Sequence, residues 1–141
     1  MKVRIFSDGG ARGNPGPAGI GYIIKNLSTK DEVRRNKYIG EATNNQAEYQ
    51  AVIEALQWVK ENIKESDLEI ECFLDSELIV EQLNQRYKIK NEGLKPLFWQ
   101  VRDLILQLGG KVQFKYISRD KNHEADKLVN LAIDKEVKKS N

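Results

Sequence analysis

The sequence predicts an α/β fold: one mixed five-stranded sheet, made of an antiparallel meander plus parallel strands, flanked by helices. Three observations carry this reading. Three strand-like stretches separated by turn-rich breaks run up to Ala42. The apolar spacing then switches from alternation to steps of three and four. In the second half strands and helices alternate, which implies right-handed crossovers between parallel strands.

Val3 to Asp8 is a short apolar strand, closed by Gly9-Gly10 and followed by a loop from Ala11 to Pro17 rich in Gly, Pro and Asn. Ala18 to Lys25, with Ile20, Tyr22, Ile23 and Ile24, is the second strand. Val33 to Ala42 is a polar edge strand, where Arg34, Arg35 and Lys37 discourage unwanted pairing. Ala47, Ala51, Val52, Ala55, Leu56, Val59 and Ile63 form the stripe of an amphipathic helix. Leu68, Ile70, Cys72 and Leu74 alternate with Glu69, Glu71 and Phe73, the mark of a fourth strand. Leu78, Ile79 and Leu83 give a short helix, and a lysine-containing connection runs from Tyr87 to Gly93. Pro96 suits the first turn of the next helix, whose stripe is Leu97, Val101, Leu104, Ile105 and Leu108; Gly109-Gly110 stops it. Val112 to Ile117 is the fifth strand. Asn122 is read as the cap of a last helix carrying Ala125, Val129, Ala132, Ile133 and Val137, with Lys135, Lys138 and Lys139 near the negative end of its dipole. The apolar first strand is the natural sheet centre, with the meander on one side and the strand ending at Leu74 parallel to it on the other.

Composition narrows the function classes. The 141 residues carry 23 Lys plus Arg against 21 Asp plus Glu, a net charge of +2, so bulk charge does not bind a polyanion. The length fits one domain over residues 1–141. A single cysteine, Cys72, excludes an internal disulfide and points to the cytoplasm; with a single histidine it also excludes a His/Cys zinc site. No apolar run approaches the ~18–20 residues of a membrane span.

Four acids sit at element boundaries. Asp8 ends the first strand and Asp75 the fourth; as parallel neighbours these strands bring both side chains out at the carboxyl edge of the sheet, where α/β proteins bind ligands. Glu48 and Asp126 lie in the first turns of helices that can face the same edge. Each has a structural reading as well: Asp8 as a turn residue, Glu48 as the third residue of a capping box begun by Asn45, Asp75 as a cap, and Asp126 as a charge favoured by the helix dipole. Convergence favours function. Two like charges ~4 Å apart cost roughly 4 kcal/mol at an effective dielectric of ~20, so such a cluster wants divalent cations. Oxygen donors alone select hard ions such as Mg²⁺ or Mn²⁺, and a carboxylate cluster that holds two metals suits phosphoryl displacement.

The same residues carry a resemblance. Ile5-Phe6-Ser7-Asp8-Gly9-Gly10 followed by Gly13-Asn14-Pro15-Gly16-Pro17, then Thr43-Asn44-Asn45-Gln46-Ala47-Glu48-Tyr49, then Asp75-Ser76-Glu77-Leu78, then Asn122-His123-Glu124-Ala125-Asp126, resemble the four motifs of ribonuclease H, type 1. They occur in order, from near residue 2 to about residue 132. The resemblance implies a ribonuclease H-like fold and an endoribonuclease that cuts the RNA strand of RNA–DNA hybrids by two-metal-ion hydrolysis, leaving 5′-phosphate and 3′-hydroxyl ends. It implies Mg²⁺ as cofactor, two per site with Mn²⁺ as a substitute, held by Asp8, Glu48, Asp75 and Asp126. It implies substrate contacts at Gly9, Gly10, Gly13, Asn14, Thr43, Asn44 and Asn45, the asparagines reading the 2′-hydroxyl that distinguishes RNA from DNA. A cytoplasmic monomer with no membrane partner and no obligate protein partner is the matching expectation.

The sequence also departs from the family pattern. Glu77 stands where many members carry a hybrid-contacting Gln, and a carboxylate there cannot donate and repels phosphate. The loop before Asp126 is short; His123 is read as a surface histidine at the helix start, and Arg119 either as a residue near the scissile phosphate or as a plain surface or ion-pair arginine. Only Lys88, Lys90 and Lys95 occupy the region where some bacterial members have a basic protrusion, and no appended hybrid-binding domain is expected. Tyr87 is readable as a DNA-stacking residue or as part of a solvated loop. Trp58 and Trp99 are read as core packing. Two other readings stay open: a nuclease of the same fold acting on DNA or structured nucleic acid, and a non-catalytic hybrid-binding module.

Overall fold

The computed structural model describes residues 1–139. Its elements run β1 (Lys2–Ala11), β2 (Gly16–Asn26), β3 (Glu32–Ala42), α1 (Asn44–Asn62), β4 (Glu69–Leu74), α2 (Glu77–Leu83), α3 (Lys95–Gln107), β5 (Val112–Tyr116) and α4 (His123–Lys139), with a 3₁₀ turn, Arg119–Asn122, before α4. The strands form one sheet in the order β3-β2-β1-β4-β5. The meander β1-β2-β3 is antiparallel, and β4 and β5 are parallel to β1. The predicted architecture and the central place of β1 therefore hold.

Alternation decides the two faces. Val3 and Ile5 of β1, Ile20 and Ile24 of β2, and Ile70, Cys72 and Leu74 of β4 point into one core with the apolar stripe of α1. Val101, Leu104 and Ile105 of α3 close that core from the far side of α1. On the opposite face α4 lies over β1, β2 and β3. It comes very close: a Cβ on Gly21 would sit 2.7 Å from the Ala125 carbonyl oxygen and from Leu128 Cβ. Arg12 to Asp134 at 2.6 Å, Arg34 to Glu124 at 3.1 Å and Asn36 Nδ2 to the Leu128 carbonyl at 3.0 Å strap the helix down.

Beside α4 the sheet face is polar. Glu71, only 8% exposed, gathers Lys2, Arg4 and Lys115 from both neighbouring strands. Phe6 and Phe73 stack next to it with ring centroids 5.0 Å apart.

Four local expectations need correction. β1 does not end at Asp8; it runs through Gly9-Gly10 to Ala11, because its antiparallel ladder with β2 continues to Ala11 opposite Ala18. The capping box of α1 starts at Thr43, not Asn45: the Thr43 hydroxyl accepts from the Gln46 amide, and the Gln46 side chain accepts from the Thr43 amide. Asn122 is not a helix cap but the last residue of the 3₁₀ turn. Trp99 is 66% exposed rather than in the core. It is two residues from both Leu97 and Val101, about 200° round the helix from each, so it faces away from their stripe. Trp58 packs half-buried against the core as read. The connection between α2 and α3 carries no extra helix, and Tyr87 stands exposed in it. Among the described residues no helix is long and apolar enough to cross a membrane.

Candidate active site

The parallel pairing of β1 with β4 is the scaffold of the site. Its register stops at Phe6 opposite Phe73. Asp8 lies two residues beyond on β1 and Asp75 two residues beyond on β4, so both carboxylates leave the sheet at the same edge. The relocated capping box supplies the third acid. With Thr43 and Gln46 satisfying the first turn of α1, the Glu48 carboxylate has no capping duty and points to the sheet edge. There α1 and β1 meet backbone to backbone: a Cβ on Gly9 would lie 2.2 Å from the Ala47 carbonyl carbon and oxygen, so only glycine lets them approach.

One carboxylate oxygen from each of Asp8, Glu48 and Asp75 lies within 4.8 Å of the others. Asp8 is 6% and Glu48 7% exposed, while Asp75 is half-buried. Burial first, then the charge of Asp75, pushes the Asp8 carboxyl up to about 8; the Glu48 contact works against this, and Asp126 adds to the rise. Burial also drives Glu48 well above the usual carboxylate range, reinforced by the charges of Asp8 and Asp75, with the Gly9 amide opposing. The Glu48 Oε2 atom is buried without a hydrogen-bond partner. Three crowded carboxylates with an orphaned buried acceptor form an all-oxygen donor set short of positive charge, which fits a hard divalent cation.

These residues open into a cleft of about 510 Å³ that Asp126 also lines. Asp126 stands exposed on the first turns of α4, outside the close trio. Gly10, Asn44 and Asn45 line the cleft as well. Asn14 and Gly13 are exposed in the β1–β2 turn, and Thr43 is occupied as the cap of α1. The turn is tied to the helix by two amide acceptors: Asn44 Oδ1 takes the Ala11 amide at 2.8 Å, and Asn14 Oδ1 takes the Asn44 amide at 3.0 Å. The Nδ2 groups of both asparagines are thereby left to donate elsewhere. Ser76 caps α2 through a 3.3 Å bond from the Ile79 amide, which leaves Asp75 free of that role. Glu77 is exposed in the first turn of α2.

Arg119 and His123 also reach the cleft, the His123 ring nitrogen Nδ1 lying 2.6 Å from the Asp120 carbonyl. Sequence reasoning missed Asn122. It is 2% exposed, and its amide bonds to Asp75; the helix-cap reading concealed it.

A family model described as reverse transcriptase-like matches residues 6–132. Ribonuclease H of Ruthia magnifica is 33% identical over 148 residues, covering 95% of this chain and 97% of that protein. The chain is 38% identical over 135 residues to the bifunctional protein Rv2228c of Mycobacterium tuberculosis, and spans 36% of that protein's length. The chain belongs to the ribonuclease H family. Within it the likeness is to type 1: the structure of LC11-RNase H1, isolated from compost, superposes with a TM-score of 0.90 at 44% identity over 96% of this chain and 98% of that one. LC11-RNase H1 has also been solved in complex with an RNA/DNA hybrid.

Proposed function

We propose that the chain is a single-domain, Mg²⁺-dependent endoribonuclease that cuts the RNA strand of RNA–DNA hybrids and leaves 5′-phosphate and 3′-hydroxyl ends. The observation that carries this is the trio of carboxylates within 4.8 Å at the β1–β4 edge, in a chain of this family. Asp8, Glu48 and Asp75 would hold the cations, with Asp126 completing the set from α4. Divalent ions bound there would supply charge for activating a water and stabilising the leaving 3′-oxygen.

The chain's own residues do the rest. Raised proton affinity at Asp8 and Glu48 lets the cleft hold protons while it lacks metal, and binding releases them. Asn44 and Asn45, with Asn14 behind them, present amide groups at the rim where a shallow minor groove exposes its 2′-hydroxyls. Gly9 and Gly10 line the cleft, where their backbone is assigned to the substrate on the resemblance. Thr43 is assigned to the DNA phosphate on the resemblance alone. We place the protein in the cytoplasm as a monomer, in keeping with its one buried, reduced cysteine.

The test is a panel of labelled RNA–DNA hybrid, single-stranded RNA, double-stranded RNA and all-DNA duplex, incubated with Mg²⁺ or Mn²⁺. Cleavage of the hybrid's RNA strand is expected. A protein inert on the hybrid under every metal condition overturns the reading, and cutting of all-DNA duplex moves it to another nuclease of the same fold.

A further inference from the structure

Beyond Phe6 and Phe73 the β1–β4 ladder gives out, so no backbone hydrogen bond sets the spacing of Asp8 from Asp75. A side chain fills this place. Asn122 Nδ2 donates to the Ser7 carbonyl at 2.9 Å and to Asp75 Oδ2 at 2.9 Å. Both partners are acceptors, so only the nitrogen end of the amide can face them, and both of its hydrogens are used. One bond grips β1 at the residue before Asp8. The other grips one oxygen of Asp75 and leaves the second for the cleft. The group is buried, and its Oδ1 has no partner. An asparagine kept there at the cost of an unsatisfied acceptor has its value in the two donors.

We propose that Asn122 is a positioning residue that replaces the missing ladder and sets the gap between Asp8 and Asp75 for a divalent cation. It touches neither substrate nor metal; it acts through Asp75. Outer-sphere partners of this kind change metal affinity by ~10–100-fold when removed. The inference rests on Asp8, Glu48 and Asp75 being the cation ligands.

The experiment titrates metal-free protein with MnCl₂ by calorimetry, comparing wild type with Asn122→Ala and Asn122→Ser. Circular dichroism and thermal unfolding establish that each variant folds. Asn122→Ala is expected to bind Mn²⁺ about 10–100-fold more weakly, with Asn122→Ser, which keeps one donor, in between. The Mn²⁺ concentration for half-maximal hybrid cleavage is expected to rise by the same factor, with a smaller change in rate at saturating metal. A folded Asn122→Ala protein with wild-type Mn²⁺ affinity overturns the inference, whatever its melting temperature. Wild type that binds no Mn²⁺ overturns the ligand reading and the inference with it, so the two failures are separable. If neither variant folds, wild type alone decides. Its Asn122 side-chain amide resonances, followed by ¹⁵N NMR, are expected to shift through a Mg²⁺ titration, and fixed resonances overturn the inference.

Discussion

At the residue scale, burial and mutual repulsion act together on Asp8 and Glu48, and metal-free protein must bear both. Asp8 rises from 3.8 to about 8 in the fold. Between those values the folded state holds a proton that the unfolded state has released, so stability falls as pH rises from about 4 towards 8. Thermal unfolding in chelator across that window is expected to show the decline. Asp8→Asn removes one of the two raised carboxyls and should weaken the decline, raising stability at pH 8 by roughly 1–3 kcal/mol while abolishing cleavage. Asp75→Asn should keep the fold and hybrid binding, measured by anisotropy in Ca²⁺, but lower the cleavage rate at least about a thousandfold, since several kcal/mol of charge stabilisation depend on it. Turnover near wild type in that variant would remove Asp75 from the site. The convergence of Asp8, Glu48 and Asp75 was legible in the sequence because Asp8 and Asp75 sit near the carboxyl ends of neighbouring strands and Glu48 near the start of a helix. Asn122 was not, because its partners Ser7 and Asp75 lie 115 and 47 residues away and meet it only through the sheet register.

At the element scale, α4 carries Asp126, and its position depends on bare backbone beneath it. Gly21→Ala would drive a methyl into the Ala125 carbonyl and Leu128. A cost of about 1–3 kcal/mol is expected, read by urea unfolding, together with a loss of activity from a displaced Asp126. The helix period of α4 was readable, but the contact that demands glycine on β2 is not visible from either segment alone. Glu71 makes the same point from within the sheet. Alternation places it on the polar face, yet its burial follows from three cations on adjacent strands. Hydrogen bonds from Lys115 and Arg4 hold its carboxyl down to about 2. Its contribution is therefore full above pH 4.5 and is lost as acid titrates the folded group near pH 2. Glu71→Gln should lower stability at pH 7 by about 1–3 kcal/mol and weaken the dependence on pH between 4.5 and 2. Trp99 was misread for a different reason: a large aromatic was assigned inward although its own helix's apolar stripe runs along the other side.

At the scale of the whole molecule, the net charge of +2 is small because 21 acids nearly match 23 bases, and four of those acids are assigned to one cleft. Two bound divalent ions would add +4. Cation binding should therefore stabilise the fold and strengthen its hold on a polyanion together. The melting temperature is expected to climb with Mn²⁺ concentration, reaching about 2.7 kcal/mol of stabilisation at a hundredfold excess over the dissociation constant. A flat response in scanning calorimetry would separate the acids from metal binding.

The strand order β3-β2-β1-β4-β5 also has a meaning for synthesis. The first strand made becomes the centre of the sheet, but its partner β4 begins at Glu69 and the last acid arrives with α4. A ribosome must release most of the chain before the four carboxylates can assemble. The acidic cleft is thus a late product of synthesis, complete only once residues from both halves of this sequence have been made.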